Sequence, residues 1–143
     1  MATATPRRRP VVRLLLVLLT ALIAACGPAR PGAGASPGAR LYAVNCSGCH
    51  GAAGTGVRGM QPPLAGTPVP NGEPDVLLAW VMFGHRPAVL PRGIYAGVMP
   101  QFAFLTDADL AALLSWVRAS FGNHAEPVTP QMVAAARLAH PRS

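Results

Sequence analysis

Residues 45–50 read NCSGCH, with Cys46 and Cys49 three positions apart and His50 directly after the second. Two thiols and an imidazole within five residues commit this stretch to metal, redox or attachment chemistry, and each option demands different partners elsewhere. A zinc site needs four ligands, or three and a water. Beyond the motif only His85, His124, His140 and five carboxylates remain, and no second Cys-x-x-Cys or His-x-x-x-His pair accompanies them. A thioredoxin-like dithiol belongs between a strand and a helix of a sheet-containing fold, and no segment of this chain reads convincingly as a strand.

The 143 residues suffice for one small domain. Residues 1–25 read as a signal peptide. Arg7, Arg8, Arg9 and Arg13 precede a twelve-residue apolar run, Leu14–Ala25, which is too short to span a bilayer as a helix of about 20 residues. An uncleaved anchor that also uses Val11 and Val12 is the alternative. The run ends in Ile23-Ala24-Ala25-Cys26, which resembles the lipobox of bacterial lipoproteins, so Cys26 is expected to carry lipid and anchor the chain to a membrane. Residues 26–37 then form the lipidated cysteine and a flexible tether, GPARPGAGASP, with no apolar side chain larger than alanine or proline.

Loss of the leader changes the charge balance. All twelve basic residues are arginine, and four precede Cys26; the other eight face five acids, leaving +3 instead of the formal +7. No arginine run survives, so no nucleic-acid partner is expected. With Cys26 lipidated, Cys46 and Cys49 are the last two thiols in an oxidising compartment.

The domain is expected over residues 38–122, with a C-terminal extension at 123–143 that holds one short helix. About 85 residues make a small core, so a bound group at the centre would help it fold. GARLYAVNC reads as a short helix running into the cysteines. Gly51–Pro70 holds five glycines and four prolines and is expected to be irregular throughout. Pro74 opens a helix that stops at Gly84, with Val76, Leu77, Trp80 and Val81 on one face. Thr106 caps the clearest helix, with Asp109 completing a capping box and Leu105 and Leu110 forming a staple. Leu110, Leu113, Leu114, Val117 and Phe121 form its apolar stripe, and Gly122 is the expected stop. Thr129-Pro130 opens a further short helix to about Leu138. The fold class is therefore all-α: three main helices joined by loops too long to order themselves.

Covalent haem attachment uses every letter of the motif. Two thiols at this spacing reach the two vinyl groups of a porphyrin edge as thioethers, and the adjacent imidazole lies over the iron. Export fits as well, because a covalent bond retains the group where free haem is not resupplied. The stretch Gly38–Phe121 resembles a class I cytochrome c. GARLYAVNCSGCHG is similar to that family's first helix and haem site, PPLAG at 62–66 to its Pro-x-Leu-x-Gly loop, GVMPQF at 97–102 to the segment of the second axial ligand, and LTDADLAALLSWVRASFGN to its last helix.

The resemblance implies one haem c, bound through Cys46 and Cys49, with His50 as proximal iron ligand. It implies that the Pro62 carbonyl accepts the His50 Nδ1 hydrogen, and that Gly38 lets the first helix approach the last near Leu113 and Trp116. Leu64 and Trp80 would pack near the haem, the Trp80 indole reaching a propionate, with plain core packing the alternative for Trp80. Arg86, Arg92 and Tyr95 are read as solvated loop residues ahead of propionate partners. For the sixth ligand Met99 is favoured: it follows a loop, stands 49 residues after His50 and precedes Pro100, which keeps the local chain from becoming helix. Met82 reads as core, Met60 as proximal, and Met132, His124 and His140 lie beyond the closing helix; His85 is the one nitrogen rival.

Two closed axial positions leave no vacancy for small molecules, and a thioether favours the ferrous state. The expected function is a single-electron carrier without substrate chemistry, lipid-anchored and facing the periplasm or the outer side of the cytoplasmic membrane. The ending VRASFGN with a further short helix resembles the c-type cytochrome domains serving membrane-bound dehydrogenases and haem–copper oxidases, although such subunits often carry several Cys-x-x-Cys-His motifs and this chain has one. The resemblance implies redox-protein partners: a membrane dehydrogenase or quinol-oxidising complex as donor and a haem–copper oxidase or similar acceptor. The alternative is a haem-based ligand sensor or a peroxidase-like protein with a labile sixth ligand. The family's lysine ring for docking is missing, since the chain has no lysine.

Overall fold

Each helix begins at a residue suited to start one. In a computed structural model, described over residues 34–90 and 92–140, Ser36 caps helix α1 (Pro37–Asn45): its side chain accepts from the Ala39 N–H at 3.3 Å, and Pro37 pre-sets the first turn. The helix thus begins within the stretch read as tether. One further turn, α2 (Ser47–His50), follows Cys46. The leader and Cys26 lie outside the described residues.

The loop that follows is not wholly irregular. Val57 and Gln61 pair as an isolated antiparallel bridge, and Pro68–Asn71 forms one helical turn, α3. Proline suits a first helical turn, where its missing N–H has no intrahelical partner to lose. Helix α4 (Pro74–Phe83) ends where Gly84 turns left-handed, as expected. Its inward face differs from expectation. Leu78 is buried beside Leu77, Val81 and Met82, the last as expected, whereas Val76 is 45% exposed. Nearly every residue of α4 is apolar, so periodicity alone does not choose the buried face.

Helix α5 (Asp107–Ala119) opens with Thr106 accepting from the Asp109 N–H at 3.1 Å and donating to the Asp109 carboxylate at 2.8 Å. Leu110, Leu113, Leu114 and Val117 are buried as the stripe requires. The helix ends two residues earlier than expected, because Phe121 and Gly122 both adopt positive φ. That turn carries the Phe121 ring onto Tyr42 and Trp116, at centroid distances of 5.1 and 5.2 Å, and Asn123 into the interior.

Two packing contacts organise the whole. α1 crosses α5 at Gly38, where a Cβ would fall 2.5 Å from Trp116 Cβ and nearer still to the Ala112 carbonyl oxygen; only glycine permits this approach. Helix α6 (Pro130–Ala139), capped by Thr129, packs on α4 and α5. Val128 and Val133 join Leu78, Met82 and Leu110 in one cluster, so the stretch read as an extension supplies core. Among the described residues there is no strand, and no helix is long and apolar enough to cross a membrane.

Candidate functional site

Residue Cys46 is the joint between α1 and α2, and the turn after it sets the order of exposure: Cys46 half-buried, Cys49 exposed, His50 buried at 8%. The His50 Nδ1 hydrogen is donated to the Pro62 carbonyl at 2.9 Å. A carbonyl only accepts, so the proton sits on Nδ1 and the Nε2 lone pair is left for another partner. Burial holds the His50 pKa below its ordinary value, against a smaller opposing effect of the Pro62 bond. Burial, and then the charge of Cys49, pushes the Cys46 thiol up to about 11.

Pro62 reaches His50 because of a close backbone approach beneath it. The Val57–Gln61 bridge, with N···O distances of 3.0 and 2.9 Å, brings the loop back, and Gly56 sits against it at φ 68°. A Cβ at Gly56 would lie 2.7 Å from the Pro62 carbonyl oxygen. The same loop pins the segment of Met99: Ala96 N–H donates to the Gly59 carbonyl at 3.0 Å and Gly97 N–H to the Met60 carbonyl at 2.8 Å. Beyond Met99, the Phe102 N–H donates to the Val81 carbonyl of α4 at 2.9 Å.

These elements enclose a largely apolar cavity of about 190 Å³, lined by Cys46, His50, Pro62, Leu64, Trp80 and Met99 among others, with walls from α4 and α5. A second lobe reaches Cys49, Arg86, Tyr95 and Val98. Of the expected site residues, only Cys26 is not among these, lying outside the described residues. Arg86 is exposed, as expected of a solvated loop residue, and Tyr95 is half-buried; both border the second lobe, and the Arg86 guanidinium lies 5.9 Å from the Trp80 ring centroid. Arg92 is exposed. Met82 is core, Met60 is exposed on the loop, and His85 turns its ring onto His140 at 4.6 Å, away from the cavity.

Two polar residues were not anticipated. Asn123, fully buried, accepts from the Gly66 N–H at 2.9 Å and from Asn71 Nδ2 at 2.7 Å; it donates to the carbonyls of Leu64 at 3.2 Å and Val117 at 2.9 Å. It therefore fastens the Leu64 loop to the end of α5. Arg118, also buried, grips the turn at Pro70 and Gly72. The left-handed turn at Phe121 and Gly122 carries Asn123 inward, and Arg118 turns inward from within α5; neither residue type signals this in the sequence.

The donor set suits a covalently attached haem: two thiols at the cavity, an imidazole with its Nε2 uncommitted, a thioether on a separate segment, and apolar walls. Among the described residues no three His, Cys, Asp or Glu side chains converge as ligands for a lone metal ion. The family profile for cytochrome c matches residues 35–120. The chain is 35% identical to cytochrome c-552 of Thermus thermophilus over 91 residues, which are 60% of this chain and 69% of that one. It is 39% identical over 90 residues to the cytochrome c subunit of an alcohol dehydrogenase (quinone) of Gluconobacter oxydans, covering 62% of this chain and 19% of the relative. A cbb3-type cytochrome c oxidase subunit of Cereibacter sphaeroides matches at 37% over 84 residues, covering 56% of this chain and 25% of the relative.

Proposed function

The chain belongs to the cytochrome c family, an electron-transfer family with covalently bound haem c, and we propose that it passes single electrons through an iron held between His50 and Met99. One observation carries this: of the histidines and methionines among the described residues, only His50 and Met99 line the cavity. When bound, haem c supplies a reversible one-electron couple at iron. Cys46 and Cys49 hold it as thioethers. His50 presents Nε2, oriented by Pro62, whose hydrogen bond also raises the basicity of the ring. Met99 would supply the second iron ligand, and its thioether would favour the reduced state. Leu64 and the walls of α4 and α5 exclude water, and Trp80, Arg86 and Tyr95 would be the residues available to the propionates.

The relatives named as dehydrogenase and oxidase subunits suggest the partners: a membrane dehydrogenase or quinol-oxidising complex as donor and a haem–copper oxidase as acceptor. Exposed Val89 and Val98 at the cavity rim offer such partners an apolar contact. Residues 1–25 act as an export signal and Cys26 as a lipid anchor, on the periplasmic or outer face of a membrane; acyl chains on an N-terminal peptide beginning at Cys26, with partition into detergent, would support this, and a soluble form lacking Cys26 would sink it.

The decisive measurement is spectroscopic. Haem should survive acid–acetone extraction, and the ferric protein should show the weak far-red band of a sulfur–iron bond. Met99→Ala should lose that band, bind carbon monoxide when reduced and have a lower potential, while keeping its haem. Ready carbon monoxide binding by the unaltered protein, with Met99→Ala behaving identically, would replace the carrier with a ligand sensor.

A further inference from the structure

Arg118 stands in the last turn of α5 and is 3% exposed. Its Nε donates to the Glu126 carbonyl at 2.6 Å, and one Nη donates to the Pro70 and Gly72 carbonyls, both at 2.9 Å. No carboxylate pairs with it: among the described residues the one salt bridge joins Arg137 to Asp107 at 2.7 Å. The guanidinium is therefore a buried cation with carbonyl partners alone. A guanidinium stays protonated wherever proteins fold. Burying such a charge without a counter-ion carries a large desolvation penalty.

The position matters as much as the burial. Pro70, whose carbonyl Arg118 holds, lines the cavity, and so does Val117, its neighbour on α5. The cation thus stands directly behind the wall of the site, on the side of α3 and α5. A surface arginine would complement the α5 dipole equally well, and a neutral amide could satisfy one of the carbonyls. Neither job calls for a charge held out of water.

Given the electron-carrier role proposed above, we propose that Arg118 sets the reduction potential of the site. An electron entering the cavity adds one negative charge, and a cation held nearby in a medium of low dielectric stabilises that reduced state. Screening by salt is weak for a charge so buried, so its influence persists at physiological ionic strength.

The test is a spectroelectrochemical titration of the full-length, haem-loaded protein, with thermal unfolding recorded alongside. R118Q and R118M should lower the potential, so that at the wild-type midpoint the reduced-to-oxidised ratio falls severalfold. R118K should stay near the wild-type value, and R40Q, which alters an exposed arginine of α1, should not move it. A neutral variant that unfolds earlier but keeps the wild-type potential would mean that Arg118 is architectural only, and the proposal falls. Should neither neutral variant hold haem, Arg118 is architectural and the proposal falls. R118K, which keeps the charge but not the planar set of donors, refutes it as well if it holds haem with a potential as low as that of the neutral variants. A wild-type protein without any reversible one-electron couple would overturn the carrier role instead.

Discussion

Asn123 illustrates how much one amide does when it is fully buried. Two donors and two acceptors on three segments meet at its side chain, and the loop carrying Leu64 to the cavity depends on them. Removing the side chain strands buried backbone groups, each costing about 1–3 kcal/mol. Asn123→Ala should therefore lose at least about 3 kcal/mol, which for a domain of this size lowers Tm by roughly 12 °C or more. Asn123→Asp should be no better, since a carboxylate cannot donate to the Leu64 and Val117 carbonyls. A calorimetric Tm within a few degrees of wild type for either variant would contradict this account.

At the scale of elements, the outcome turns on α6. It lies past the left-handed turn at Phe121 and Gly122, yet Val133 is wholly buried against α4 and α5. Arg137 secures its far end, donating to Asp107 at 2.7 Å and to the carbonyls of Ala103 and Leu105 at 2.7 and 2.6 Å. Those contacts hold the start of α5 and the chain leading from Met99. Val133→Ala removes two buried methyl groups and leaves a small cavity, costing about 2 kcal/mol. Leu138→Ala on the same helix, where the side chain is 84% exposed, should cost almost nothing. Chemical denaturation of the two variants checks this; equal midpoints would mean α6 is not part of the core.

At the largest scale, the described residues are built around the cavity. Leu77, Trp80 and Val81 from α4, Leu113, Leu114 and Val117 from α5, and the loops at 62–70 and 95–102 all turn apolar surface towards it. Without a bound group these walls have little to pack on. A Cys46→Ala/Cys49→Ala protein should keep much of its far-UV helical signal. It should also lose near-UV ellipticity, bind a hydrophobic dye and unfold with a broad transition, as a molten state does. A sharp transition at the wild-type temperature would show that the helices close the space on their own.

Local chemistry was legible from residues alone. The spacing of Cys46, Cys49 and His50, the capping of α5 by Thr106, the stop at Gly84 and the all-α class each depend on neighbours within a turn or two, where residue type dictates conformation. The membership of one cavity was legible only through resemblance, because His50, Pro62 and Met99 are joined by loops whose course no periodicity describes. What tertiary structure alone decided was direction. Nearly every residue of α4 is apolar, so burying Leu78 while exposing Val76 follows from where α5 and α6 lie. The early end of α5 follows from Phe121 packing on Tyr42 and Trp116. The inward course of Asn123 and Arg118 is invisible in sequence because both are polar, and polar residues are assigned to the surface until distant carbonyls are found to satisfy them.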